Sequence, residues 1–136
     1  MKRKIGIGIV ACKFNYEITA VMLERAEAHA RKMGAVIAEV AFVPGVFDSP
    51  LAVKRLLRKK SVDAVVVLGA VIKGETKHDE LIALAAANAV VELSLKFNKP
   101  VALGVIGPGA TWEQAEARAG EYAERSIDAA LKMVVK

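Results

Sequence analysis

Leu68–Leu81 reads LGAVIKGETKHDEL, and within it a buried strand gives way to the start of a polar helix. The apolar run Ala64–Ala70 leading into it has the length and β-branched content of a strand covered on both faces. The Lys73-Gly74-Glu75-Thr76 turn then feeds a long helical segment. Thr76, with Asp79 three residues on, has the shape of a capping box, which predicts Thr76 as the N-cap. A helix start after a parallel strand presents free N–H groups and the positive end of a dipole, where α/β proteins bind anions. Lys73 adds a cation, Thr76 a hydroxyl, and His78 a side chain of the type that moves protons near neutral pH. Each also has a structural reading: Thr76 as a cap alone, Lys73 as a solvated loop charge, His78 as a polar residue on an exposed turn. Their company at the carboxyl end of a strand, where open sheets bind ligands, favours a site for a small phosphorylated substrate.

Outward from this stretch the chain alternates strand and helix. Ile5–Ala11 is a predicted strand. Its Gly6-x-Gly8-x-x-Ala11 spacing loosely matches the dinucleotide fingerprint, but inside the strand instead of in the turn after it. The chain is also too short for two mononucleotide-binding halves, so that reading is rejected. Lys13-Phe14-Asn15 follows, then a helix over Tyr16–Met33 closed by Gly34, on which His29 is structural or solvated. The second strand, Val36–Val43, ends in Pro44-Gly45-Val46-Phe47-Asp48-Ser49-Pro50. Asp48 or Ser49 is the expected cap of a helix running to Lys60. Phe47, a large apolar residue in a turn, is either a staple onto the core or one wall of a pocket for a flat ligand.

The longest helix, His78–Phe97, is apolar around nearly its whole circumference. A helix laid on one face of a sheet should carry a polar outer stripe. This one needs a cover, and a subunit interface is the economical one. Val101–Ile106 is the fourth predicted strand and Gly107-Pro108-Gly109 a turn. Thr111 with Gln114 forms a second capping box, and the last helix runs from Trp112 to about Val135. The alternation predicts a four-stranded parallel sheet with helices on both faces, in order 2-1-3-4, a flavodoxin-like three-layer sandwich. Three strand ends then meet at one edge of the sheet.

Composition narrows the field. A chain of 136 residues is expected to be a single domain, 1–136, with a sizeable core. Of its residues 54% are hydrophobic but only 5% aromatic, so that core is built from Ala, Val, Leu and Ile. The net charge of +5 is spread over helices that also carry Asp and Glu, apart from one basic cluster at Lys54-Arg55 and Arg58-Lys59-Lys60. With no set of stacking aromatics, nucleic acid is not an expected partner. No apolar run has transmembrane length and no signal-peptide pattern opens the chain, so no membrane role is expected. The single Cys12, in the first strand, reads as a buried thiol of a reducing, cytoplasmic compartment.

Taken together, FN after the first strand, VPGVFDSPLAVKRLL, VVVLGAVIKGETKHDELI, LSLKFNKPVALGVIGPG and TWEQAEARAG resemble lumazine synthase in its shorter archaeal type, over nearly the whole chain. The resemblance implies a transferase of riboflavin biosynthesis. Such an enzyme joins 5-amino-6-ribitylaminouracil to 3,4-dihydroxy-2-butanone 4-phosphate, with loss of phosphate and two waters and without metal or organic cofactor. It implies that Phe14 stacks on the pyrimidine, that Val46, Phe47 and Asp48 hold the ribityl chain, and that Ala70, Val71 and Ile72 line the pyrimidine by their backbone. It further implies phosphate binding by Gly74, Glu75 and Thr76, proton transfer by His78, and a phosphate contact by Arg118 from a neighbouring subunit of a homo-oligomer built on pentamers. Three positions depart from the commoner pattern: Asp48 stands for a Glu, Leu103 for an aromatic over the substrate ring, and Ser126 for a lysine near the phosphate. Rival readings are a flavodoxin-like binding module or receiver domain, the related archaeal riboflavin synthase, and a shell protein without chemistry. The missing acidic cluster disfavours the receiver. GETKHDE favours the lumazine enzyme over riboflavin synthase, and the retained His78 and Arg118 disfavour an inert shell.

Overall fold

Strand β3 covers Ala64–Ile72, and all nine of its residues are buried. Their side chains alternate between two cores, as strand geometry requires. Ala64, Val66, Leu68, Ala70 and Ile72 join one apolar cluster, Val65, Val67 and Val71 the other. The computed structural model describes residues 3–74 and 78–134. Around β3 they form β1 (Gly6–Cys12), α1 (Tyr16–Lys32), β2 (Val36–Val43), a 3₁₀ turn (Val46–Asp48), α2 (Ser49–Leu57), α3 (Asp79–Phe97), β4 (Val101–Ala110) and α4 (Trp112–Met133). The sheet is wholly parallel, in the order β2-β1-β3-β4 expected from the alternation of elements.

Helices α1 and α4 cover one face. Ile18, Met22, Ala26 and Ala30 of α1 and Ala115, Ala119, Ala123 and Ile127 of α4 pack there against β1 and β3. Residues this small let the two helices approach closely. At Gly120 a Cβ would lie 2.3 Å from Nη1 of Arg25, whose guanidinium crosses α4 to reach Glu124. His29 bonds Asp128 across the same pair at 2.7 Å, which makes it a tie between helices. Helices α2 and α3 cover the other face through Ala52, Val53, Leu56, Leu57, Ala86 and Val90. Each fully buried Val, Ile or Leu in these layers is worth about 1.5–3 kcal/mol.

Besides shifts of one or two residues at the ends of β1, α1 and α4, four boundaries differ from expectation. β3 continues two residues beyond Ala70, to Ile72. α2 stops at Leu57, short of Lys60, because Lys99 reaches back from the α3–β4 connection and donates to the carbonyls of Leu57 and Lys59. A lysine serving these terminal carbonyls does the work another helical turn would have done. β4 runs through Gly107-Pro108-Gly109 to Ala110 instead of turning at Gly107. Positive φ values of 94° and 92° at the two glycines let it rejoin β3, where Ala110 pairs with Ile72. α3 begins at Asp79 with His78 in the N-cap position, and the carbonyl of His78 receives the first helical bond, from Ile82. Thr76, the expected cap, lies outside the described residues. The second capping box formed as expected, Thr111 and Gln114 each accepting the other's backbone N–H.

The chain's start is fastened to β3 by Asp63. Its carboxylate accepts two bonds from Arg3, at 2.6 and 2.8 Å, and one from the Gly6 N–H at 2.8 Å. Burial alone would raise the Asp63 pKa, but the Arg3 and Gly6 hydrogen bonds and the charges of Arg3 and Lys99 outweigh it and hold it below the ordinary value of 3.8. A carboxyl with a depressed folded-state pKa adds stability that is fully present above its unfolded value and fades as pH falls through the folded one. Asp63→Ala is therefore expected to lower stability at neutral pH, by a margin that shrinks below about pH 4. Urea unfolding at a series of pH values checks this. A gap that stayed constant into strong acid would contradict it.

Candidate functional site

At the carboxyl edge of the sheet the β1–β3 ladder ends at Ala11 opposite Leu68, while both strands run on. The parting opens a cleft of about 210 Å³ that is open to solvent on one side. Three strand ends line it. Cys12 and Phe14 come from the end of β1, Gly45, Val46, Phe47 and Asp48 from the end of β2, and Ala70, Val71 and Ile72 from β3, with Ile82 of α3 closing one side. All seven of the residues assigned to pyrimidine and ribityl recognition, Leu103 apart, thus share one concave surface.

Local chemistry shapes each wall. Val46 is buried and anchors the β2 loop, and Ser49 Oγ donates to its carbonyl at 2.7 Å. Asp48 turns back so that Oδ2 accepts the Gly45 N–H at 3.0 Å, fixing the loop that presents Phe47. Phe47 is 63% exposed and Phe14 58% exposed. Rings left this open do not staple a core, so Phe47 is a wall. The third wall is held by β4: a Cβ on Gly107 would sit 2.2 Å from the carbonyl oxygen of Val71, so only glycine allows β4 to pass there.

The remaining candidates lie elsewhere. Gly74, at φ 83°, and His78 flank the end of β3 and the start of α3 at the same sheet edge; Glu75 and Thr76 lie outside the described residues. Leu103, on the edge strand β4, is 40% exposed and lines a separate groove between β4 and α3 with Leu84 and Pro108. Arg118 is exposed on α4, in the layer on the opposite face of the sheet from the helix that closes the cleft. One chain therefore does not bring Leu103 or Arg118 to the cleft. Among the described residues no group of three or more His, Cys, Asp or Glu is placed to hold a metal ion, and no helix is long and apolar enough to cross a membrane.

The family model for 6,7-dimethyl-8-ribityllumazine synthase matches residues 4–136. A protein of that name from Saccharolobus solfataricus is 56% identical over 133 residues, 98% of this chain and 86% of its own. One from Metallosphaera sedula is 57% identical over 129 residues, 95% and 85% of the two chains, and one from Sulfolobus acidocaldarius 49% identical over 131, 96% and 83%. The chain belongs to the 6,7-dimethyl-8-ribityllumazine synthase family. The likeness read from the strand-end motifs holds at family level, and the receiver and binding-module readings fall away.

Cys12 carried no site signal in the sequence, and Asn15, marked there only as the neighbour of Phe14 in the FN motif, carried none for the contact it makes beside the cleft. Asn15 holds a left-handed backbone, φ 61°, and spends its side chain on Ala70. Cys12 is 1% exposed and forms part of the floor. Burial, and after it the nearby Asp48 carboxylate, push the Cys12 thiol up to about 12. The thiolate is the reactive species, so at pH 8 Cys12 should alkylate about a thousandfold more slowly than an ordinary thiol. Iodoacetamide labelling followed by mass spectrometry, with urea-unfolded protein as reference, checks this. Equal rates in folded and unfolded protein would contradict it.

Proposed function

We propose that this chain condenses 5-amino-6-ribitylaminouracil with 3,4-dihydroxy-2-butanone 4-phosphate to 6,7-dimethyl-8-ribityllumazine, releasing phosphate and two waters. The observation that carries the reading is the convergence of Phe14, Val46–Asp48 and Ala70–Ile72 on one cleft in a member of this family. Phe14 offers an open ring for stacking, which uses little side-chain entropy. The end of β3 offers backbone groups to the pyrimidine. With Oδ2 of Asp48 held by Gly45, its other oxygen is the one for a ribityl hydroxyl. The turn at Gly74, Glu75 and Thr76 takes the phosphate, as a helix start suits an anion.

The amine of the uracil attacks the ketone and water leaves to give an imine. Elimination of phosphate gives an enol, which tautomerises before the ribitylamino nitrogen closes the ring with loss of the second water. Each step moves a proton, and His78 is the group at the sheet edge suited to it. Holding the two reactants in register supplies much of the rate. No cofactor enters this scheme. Lumazine formation, followed by absorbance, is expected to survive exhaustive chelation and dialysis. Activity lost to a chelator and restored by a metal would overturn the scheme.

Assembly completes the site. Leu81, Leu84, Val91 and Leu95 of α3 stand 62%, 61%, 56% and 76% exposed, an apolar face that water does not favour. Covering by further copies of the chain fits it, in a pentamer or a multiple of one, within the cytoplasm. Leu103 and Arg118, both outward-facing, then reach the cleft of a neighbour. His78→Ala should slow turnover on the order of a hundredfold without abolishing it. Co-expressed with Arg118→Ala at equal dose, it should recover about a quarter of wild-type activity, the share of interfaces that pair two intact halves. Mixed rings showing only the mean of the two single-variant activities would place the site within one chain.

A further inference from the structure

Asn15 occupies the N-cap position of α1, yet its side chain makes no capping bond. Its backbone carbonyl does the local work, accepting the N–H groups of Ile18 and Thr19 at 3.0 and 3.2 Å. The side-chain amide instead crosses to the carbonyl of Ala70, 3.1 Å away and 55 residues along the chain. That carbonyl lies beyond the last β1–β3 pair, Ala11 with Leu68, where the ladder has parted. Nδ2 of Asn15 thus serves a β3 carbonyl at the point where the strands separate to form the cleft.

The other ties of this loop run the opposite way. Lys13 N–H donates to Val43 and Phe14 N–H to Pro44, both at 2.8 Å and both at the end of β2. Among the described residues, the Asn15 amide is the hydrogen bond joining the loop to β3. Without it Phe14, 58% exposed and unsupported by a packed core, is referenced to the β2 wall alone. The left-handed backbone at φ 61° and ψ 41° points the same way, since Asn adopts it readily and most residues do not.

We propose that Asn15 is a positioning residue, fixing the spacing between the Phe14 ring and the Ala70–Ile72 wall so that a flat pyrimidine fits between them. The inference rests on the functional reading above and deepens it. With its amide spent on the Ala70 carbonyl, Asn15 acts through the Phe14 ring.

Asn15→Gly keeps the left-handed backbone and removes the amide. Asn15→Asp keeps the shape but offers the Ala70 carbonyl no donor, which guards against a glycine that merely loosens the loop. Calorimetry on the assembled protein is expected to show the Kd for 5-amino-6-ribitylaminouracil rising about fivefold in both variants, the range one hydrogen bond commands. The Kd for inorganic phosphate should stay unchanged. In a Phe14→Ala background the same substitutions should change pyrimidine affinity less than about twofold, because residues acting as one unit are not additive. Wild-type affinity in both variants, a parallel loss of phosphate affinity, or effects that multiply with Phe14→Ala would each overturn the inference. Wild-type protein that binds the pyrimidine but makes no lumazine would overturn the functional reading alone. Wild-type protein that does not bind it would overturn both.

Discussion

A parallel strand buried on both faces can meet solvent only at its ends. β3 is such a strand, and its apolar side chains are divided between two cores that neither face can give up. Whatever chemistry the chain performs must therefore gather where the strands run out, and the carboxyl end is where helix starts also face the opening. The layered fold and the location of the cleft follow from that one constraint. β1 leaves the ladder at Ala11, β3 continues to Ile72, and the gap between them is the cleft.

Backbone, more than side chains, defines the cleft. Gly107 lets β4 lie against the Val71 carbonyl, and Gly69 has no room for a Cβ because Cys12 Sγ would be 2.9 Å from it. Asp48 closes its own loop onto Gly45. Such walls suit a reaction whose catalysis is largely orientation, since geometry held by a sheet is not lost to side-chain motion. The rings of Phe14 and Phe47 are its most exposed parts.

Much of this was legible in the sequence, and the exceptions have physical causes. Alternation of β-branched runs with helical periodicity sufficed for element order and sheet topology, because one buried pattern admits few right-handed parallel arrangements. The strand ends at 14–15, 47–48 and 73–78 could be placed at one edge on that basis alone. The end of α2 was not legible, since the group that ends it is Lys99, some forty residues away in sequence. The Gly107-Pro108-Gly109 stretch looked like a turn because its composition is that of one; only the approach to Val71 explains why it stays in the sheet. Asn15 was quoted as part of a motif, but a bond to a carbonyl 55 residues away leaves no local trace.

The outer face of α3 joins the fold to the site. An isolated chain would leave Leu81, Leu84, Val91 and Leu95 in water, and only Ala86 and Val90 of that helix are buried by the sheet. A helix this apolar on both sides is not explained by intrachain packing. The two expected site residues that do not line the cleft, Leu103 and Arg118, also sit on outward surfaces, one on the edge strand and one on the opposite helical layer. Two unrelated features, an uncovered apolar helix and two expected site residues away from the cleft, would share one remedy in the ring of identical chains proposed above. Head-to-tail contacts set a different surface of each copy against its neighbour, so an α3 face and a cleft can both be completed around one axis. On the proposed reading, the hydrophobic effect that would assemble the ring would also bring Arg118 to a neighbour's cleft, and catalysis would be confined to the assembled state.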